Sequence, residues 1–236
     1  MQNGKYEIWY AIPSANVDRA NICLERWKEK GYKTCVLIDK GRERPYPALT
    51  DLLIESDPYE GYFKSANLLV QSIDRTADVI VTGGDDMFPD PDHDPMKIAE
   101  ECFMKFPDGL FVMQPIGDMM PGTDKICGSP WFGRGWIDRA YGGKYVFWPG
   151  YSAFFGDEEL KEVSQKLRVL WQRSDLTQYH DHWSRPGGPK KTEYQVKNDR
   201  HWDQDKKTFF ARKASRFPQM WPLAPDSPEL AAKRRK

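Results

Sequence analysis

The chain has 236 residues, 35 basic and 35 acidic side chains for a formal net charge of zero, and a mean hydropathy of -0.74. Aromatic residues make up 14%, which excludes a disordered chain, and no run approaches the roughly 20 apolar residues of a membrane helix. The length allows one large domain, or one domain with an extension.

The first predicted element is a short buried strand, Glu7 to Ile12, stopped by Pro13-Ser14. A helix follows from Val17 to Lys30, with Ala20, Cys23, Leu24 and Trp27 on one face and Gly31 at the C-cap position. Thr34 to Ile38 forms a second buried strand ending at Asp39. Apolar strands joined through a helix predict a parallel sheet covered on both faces. Residues 40–58 read as a charged, Pro-rich loop with a short strand at Leu52 to Ile54. A helix over Phe63 to Thr76 turns Ala66, Leu69, Val70 and Ile73 inward. Ala77 to Thr82, the most strand-like run, then delivers Gly83-Gly84-Asp85-Asp86. In open α/β sheets ligands bind outside the carboxyl ends of the strands, so Ser14, Asp39 and Asp85-Asp86 are expected at one site.

Leu110 to Gln114 predicts a further strand, and residues 115–150, rich in Gly, Pro and aromatics, read as long pocket-shaping loops. Helical spacing returns from Glu158 to Trp171, and one more helix is expected near Asp203 to Ser215. Four irregularly spaced cysteines suggest neither a disulfide framework nor a zinc site. The opening MQNGKYEIWY lacks a signal-peptide core, so a reducing cytoplasm is the expected location, with no membrane partner. Charge is uneven. Residues 1–186 carry 22 Lys and Arg against 29 Asp and Glu; residues 187–236 carry 13 against 6. An acidic body suits a bound cation and a basic tail suits a polyanion, although the final Lys233 to Lys236 also reads as a plain solvated terminus.

Three constellations carry chemistry. Adjacent carboxylates Asp85 and Asp86 at the end of a buried strand repel unless a divalent cation offsets them, and Gly83-Gly84 admits close backbone approach. The same residues also read as a strand-to-turn junction. His180 and His182 alternate, so an extended segment puts them on one face, and Asp with His and phosphate oxygens suits Mn2+ or Mg2+. A surface loop with two ordinary histidines is the other reading. Asp157-Glu158-Glu159 after Phe154-Phe155 opens a helix, either as a general base beside an apolar pocket or as a plain N-cap with acidic first turn.

Together these features resemble GT-A glycosyltransferases, and are most similar to small phage- and prophage-encoded members. The resemblance rests on Ile12-Pro13-Ser14-Ala15, Asp39, the run from Gly61 to Asn67, Asp85-Asp86, Gly128-Ser129-Pro130-Trp131-Phe132-Gly133, Trp148-Pro149-Gly150-Tyr151, the paired histidines before Trp183, and Trp202 with Phe209 to Lys213. It implies an α/β, Rossmann-like, mostly parallel sheet flanked by helices. Residues 1–186 would form the catalytic domain, with a nucleotide-sugar half to about 114 and an acceptor and metal half beyond it. Residues 187–236 would be a basic extension with one helix. It further implies a nucleotide-sugar donor, UDP-linked first, contacted by Pro13, Ser14, Ala15, Asp39, Lys64, Asn67, Gly84 and Asp85. Asp86 with His180 or His182 would hold Mn2+ or Mg2+, and Asp157 would be the catalytic base. Trp131, Trp148, Tyr151, Lys190 and Lys191 would meet the acceptor. Many relatives carry another Asp where this chain has Gly83.

The acceptor expected is a 5-hydroxymethylpyrimidine base in DNA (5-hydroxymethylcytosine in a bacteriophage setting, and the host cytoplasm), with a saccharide as the alternative. The basic region and the Trp and Tyr supply favour DNA, because phosphates need Lys or Arg and an extruded base needs a stacking pocket. Lys190, Lys191, Arg212, Lys213 and Arg216 are then expected at phosphates. A metal-dependent nuclease or phosphatase would leave the nucleoside-binding strand ends unexplained. A nucleotidyltransferase would need a Gly-rich basic loop where Pro13-Ser14-Ala15-Asn16 stands. A non-enzymatic carbohydrate- or DNA-binding module would leave the carboxylates unexplained.

Overall fold

Side chains of the first strand, β1 (Ile8–Pro13), alternate between two apolar layers: Trp9 and Ala11 enter one, Ile8, Tyr10 and Ile12 the other. The second strand, β2 (Lys33–Asp39), divides in the same way, Cys35 and Leu37 against Val36 and Ile38. Strands buried on both faces belong to the middle of a three-layer fold. In the computed structural model, which describes residues 5–118, 120 and 122–218, that middle layer is a seven-stranded sheet. The basic end Lys233 to Lys236 lies outside the described residues.

The remaining strands are β3 (Leu52–Ser56), β4 (Val79–Thr82), β5 (Met87–Phe88), β6 (Val112–Pro115), β7 (Trp131–Gly133), β8 (Leu170–Arg173) and β9 (Tyr179–His180). The large sheet runs β3-β2-β1-β4-β7-β6-β8, parallel except that β7 lies antiparallel to both neighbours. β5 and β9 form a separate antiparallel pair. The helices are α1 (Val17–Glu29), α2 (Tyr62–Ser72), α3 (Pro95–Lys105), α4 (Arg134–Ile137), α5 (Gly156–Lys166), α6 (Glu193–Asn198) and α7 (Trp202–Ala214). α1 and α3 cover one face of the sheet; α2, α4 and α5 cover the other. The α/β class with a mostly parallel sheet is therefore as expected. No described helix is long and apolar enough to cross a membrane.

Several boundaries differ from the sequence pattern. The helix expected to reach Trp171 ends at Lys166, because Arg168 turns with φ of 58° and Leu170 enters β8. α2 stops at Ser72, where Ile73 turns extended and Asp74 accepts from the Thr76 amide at 3.0 Å. The stretch read as loops contains β7, three residues too short to show a period. α3 follows an Asp94 N-cap and Pro95, with Ile98, Ala99 and Cys102 buried at helical spacing.

The C-terminal helix is bound into the body. Asp205 is buried and accepts the amides of Ser152, Ala153 and Phe154 at 2.8–3.2 Å. Arg212 donates to both oxygens of buried Glu159, at 2.7 and 2.6 Å, and its guanidinium lies 3.7 Å from the Trp148 ring centre. Arg212, expected at a phosphate, is thus a core cation. Lys213 pairs with Glu162 at 2.5 Å.

Candidate active site

The loop after β4 is fixed from below. Tyr10 Oη donates to the Gly84 carbonyl at 2.7 Å, Trp27 Nε1 donates to the Met87 carbonyl at 2.8 Å, and the two rings stack with centres 3.6 Å apart. A Cβ on Gly83 would stand 2.5 Å from Tyr10 Oη, and one on Gly84 would stand 2.5 Å from Asp86 Oδ1. The two glycines let the backbone lie flat against a ring and a carboxylate. The additional Asp of many relatives has no room at position 83.

Asp85 and Asp86 are both buried deeply but are balanced differently. Asp85 Oδ2 accepts from Ser14 Oγ at 2.6 Å, and Asp85 Oδ1 accepts from Arg19 Nε at 3.3 Å. Burial, aided by the charge of Asp86, pushes the Asp85 carboxyl above its usual range. Burial pushes Asp86 up as well, but the imidazole of His180 and the charge of Arg19 outweigh it and hold the carboxyl low. His180 Nε2 stands 3.4 Å from Asp86 Oδ1, Arg19 Nη2 stands 3.6 Å from Asp86 Oδ2, and Gln195 Nε2 donates to Oδ2 at 3.0 Å. The His182 ring lies 4.7 Å from that of His180, and Nδ1 of His182 pairs with Ser184 Oγ at 2.7 Å. Burial first, then the charge of His180, lowers the His182 imidazole to about 4, so it is neutral at pH 7.

A divalent cation fits part of this set. Two ligands each about 2.1 Å from one ion can stand up to roughly 4 Å apart, a span that Asp86 Oδ1 and His180 Nε2 satisfy. Among the described residues no three His, Cys, Asp or Glu side chains are grouped to hold an ion. Mn2+ or Mg2+ would draw its other ligands from phosphate oxygens and water, as such ions commonly do.

Beside the carboxylates, at the ends of β1 and β2, a cavity of about 280 Å3 is lined by Ser14, Ala15, Asn16, Ile38, Arg42 and Glu43 among others. Pro13 is buried at its edge and hands Ser14 to Asp85. Asp39 ends β2, accepting from the Tyr59 amide at 2.9 Å and from Arg42 Nε at 3.3 Å. Asp157 opens α5 after Phe155, which is left-handed at φ of 66°. Its neighbour Glu158 is pushed up to about 9, by burial first and then by the Asp157 charge. The Tyr62 hydroxyl and Thr82 Oγ1 are buried without a hydrogen-bond partner. The charges of Asp157 and Asp86 both add to the burial that raises the Tyr62 phenol, so Tyr62 is within electrostatic reach of both carboxylates.

The structure brings Ser14, Asp85, Asp86 and His180 together, with Asp39 and Ala15 at the cavity. It does not bring the rest. Lys64 is exposed and paired with Glu60 at 2.9 Å. Asn67 is buried, its amide bonded to the backbone of Val146 and Phe147 at 2.9–3.0 Å. Trp131 is 1% exposed and donates to Gln178 at 2.8 Å; Tyr151 is fully buried and donates to Glu159 at 2.7 Å. Neither can present a face to an acceptor, and Trp148 is covered by Arg212. Their aromatic character served packing. Lys191 pairs with Asp199 at 2.9 Å and lies 4.4 Å from the exposed Trp183 ring; Lys190 is exposed.

Sequence reasoning missed Arg19, Arg42, Tyr59, Tyr194 and Gln195. Arg19 stands in the first turn of the helix after Ser14, where a cation facing Asp85 could have been anticipated. Thr192 and Gln195 form a capping box, a legible start signal for α6.

No family model and no curated protein matches the chain. Among solved structures it is similar to the catalytic domain of Drosophila β1,4-galactosyltransferase 7 in complex with xylobiose. That match has 13% identity, 83% of this chain and 79% of that chain covered, and a TM-score of 0.46. A mutant of the same enzyme with manganese, UDP-Gal and xylobiose gives 12%, 81%, 79% and 0.44. 4-Diphosphocytidyl-2C-methyl-D-erythritol synthase from Anaerococcus prevotii gives 14%, 84%, 96% and 0.47. Two different enzymes score alike, so these loose superpositions select no activity.

Proposed function

We propose that this chain is a metal-dependent glycosyltransferase that moves a sugar from a nucleoside-diphosphate sugar, UDP-linked first, to a hydroxyl. The observation that carries this reading is the placement of Asp86 and His180, 3.4 Å apart, beside the cavity at the ends of β1 and β2. Asp86 and His180 would hold Mn2+ or Mg2+. When bound, the ion supplies Lewis-acid neutralisation of charge on the diphosphate. The bond from the sugar to the diphosphate breaks with its electron pair on the diphosphate, and Arg19 adds a second positive charge on that side. Asp157 accepts the acceptor hydroxyl proton as the new bond forms.

For the acceptor, a 5-hydroxymethylpyrimidine in DNA is the first reading. It is supported by the exposed rings of Tyr179 and Trp183 close to His180, with Arg185 and Lys191 at 4.6 and 4.4 Å from their centres. Such cation-flanked rings suit a stacked base beside phosphate. A saccharide is the second, because Arg185 and Lys191 are already paired with Asp118 and Asp199.

The test is a panel of labelled nucleotide sugars with hydroxymethylated DNA or oligosaccharides, with Mn2+ or with chelator. Sugar transfer from one donor that disappears in chelator is expected. Absence of both transfer and donor hydrolysis across the panel would refute glycosyl transfer.

A further inference from the structure

The Tyr194 side chain is 6% exposed, yet its hydroxyl reaches no hydrogen-bond partner. Buried polar groups are nearly always bonded, so each exception asks for an explanation. Here the ring is held firmly. It stacks on Tyr59 with centres 3.8 Å apart and planes 5° from parallel, and Tyr59 Oη donates to Asn198 Oδ1 at 3.0 Å. Tyr59 in turn donates its amide to Asp39 Oδ1 at 2.9 Å. Burial first, then the neighbouring Asp39 carboxylate, raises the Tyr194 phenol, so the hydroxyl faces Asp39 at the end of β2.

On the same side, Arg42 lines the cavity, pairs with Asp39 at 3.3 Å and has its guanidinium 5.8 Å from the Tyr194 ring centre. α6 is drawn onto this corner from both ends. Glu193 pairs with Arg42 at 2.6 Å, and Gln195 reaches Asp86 at 3.0 Å. Three successive residues thus span from the nucleoside end of the site to its carboxylate pair.

We propose that Tyr194 is a nucleoside-binding residue whose hydroxyl, with the Asp39 carboxylate, holds the ribose hydroxyls of the donor. The inference rests on the nucleotide-sugar reading above. A ribose diol supplies what both groups lack: a proton for the carboxylate to accept, and an oxygen for the phenol to donate to. Asp39 accepts from the Tyr59 amide and Arg42, and a carboxylate has about four lone-pair sites, so acceptor capacity remains. A phosphate is excluded from this position by the negative charge of Asp39, and an apolar group would leave the hydroxyl orphaned.

The test uses the full chain and calorimetric titration with UDP, ADP, GDP and CDP in Mn2+, followed by the 2′-deoxy and 3′-deoxy forms of the tightest binder. The wild type is expected to favour the ribonucleotide over at least one deoxy form by about tenfold or more, since a site built around a hydroxyl penalises its absence. In Tyr194→Phe that preference should fall by roughly three- to tenfold, the value of one neutral hydrogen bond. The melting temperature should not drop, because the deleted hydroxyl has no partner inside the protein. An unchanged ribose preference in Tyr194→Phe would overturn the inference and leave the donor reading standing. A melting temperature lowered by several degrees would overturn it equally, by showing that the hydroxyl is bonded internally. If the wild type binds none of the four nucleotides, the donor reading fails and the inference falls with it.

Discussion

Asp86 Oδ1 and His180 Nε2 meet at 3.4 Å because β5 and β9 pair antiparallel with Met87 opposite His180, and because the Asp181 amide donates to the Asp86 carbonyl at 2.7 Å. Residues far apart in sequence are thereby clamped by backbone bonds on either side of the pair, which preorganises it. Asp86→Asn keeps the shape and removes the charge. It is expected to lower transfer by roughly 100- to 1000-fold, the scale of several kcal/mol of lost charge stabilisation. Steady-state transfer against Mn2+ concentration checks this, and full activity of the variant in chelator would place the chemistry elsewhere. His180→Gln is expected to raise the Mn2+ concentration needed for half-maximal rate.

The strand ends and the Asp85-Asp86 pair were legible because buried parallel strands are continuous apolar runs with abrupt polar stops. The companions of the pair were not. Gln195 reaches Asp86 from α6, a six-residue helix whose short length carries no hydrophobic period. Trp131 and Tyr151 misled because an aromatic side chain in a Gly- and Pro-rich segment reads alike whether it stacks on a ligand or fills a core. Their hydrogen bonds to Gln178 and Glu159 decide for the core, and nothing local in sequence announces those partners.

Gly83 gives a second prediction. Gly83→Ala places a methyl group where Tyr10 Oη stands 2.5 Å away, and Tyr10 is fully buried and stacked on Trp27, so the ring cannot yield freely. The variant is expected to lose about 1–3 kcal/mol of stability, the usual cost of overpacking, and to lose activity as the loop carrying Asp85 and Asp86 shifts. Urea unfolding beside a transfer assay measures both. Unaltered stability would mean that the loop and ring adjust together.

Glu158 makes stability depend on pH. Its carboxyl is raised from the model value 4.5 to about 9, so between these values the folded chain holds a proton that the unfolded chain releases. The stabilising contribution is complete below about pH 4.5 and is lost as pH rises toward 9. Glu158→Gln cannot lose that proton, so its stability relative to wild type is expected to climb steadily from pH 5 to pH 9. Asp157→Asn should flatten the wild-type trend by removing the neighbouring charge, and should lower turnover while donor affinity holds. Melting curves across this pH range, with donor titrations of Asp157→Asn, decide. A relative stability independent of pH would mean that Glu158 ionises normally.

The acceptor prediction separates two kinds of basic residue in the C-terminal region. Arg212 is enclosed with Glu159, and removing one partner of such a pair leaves an uncompensated buried charge. Arg212→Met is therefore expected to cost about 3 kcal/mol or more in stability. Any loss of DNA binding in that variant should follow unfolding rather than salt. Lys190 is exposed, and Lys191 stands over the Trp183 ring with only the exposed Asp199 to neutralise it. If hydroxymethylated duplex DNA is the acceptor, each phosphate these lysines neutralise contributes about 0.9 to the slope of log K against log salt. Lys190→Glu with Lys191→Glu should then flatten the salt dependence and weaken DNA binding, with little change in melting temperature. Trp183→Ala should weaken transfer to DNA through lost stacking, by about 1–3 kcal/mol, and leave donor affinity unchanged. A free hydroxymethylated nucleoside offers the same hydroxyl without the polyanion, so charge reversal should not affect its use. Transfer to DNA that ignores both salt and the reversed charges would remove the lysines from the acceptor site, and transfer only to oligosaccharides would assign the Tyr179–Trp183 rings to a sugar.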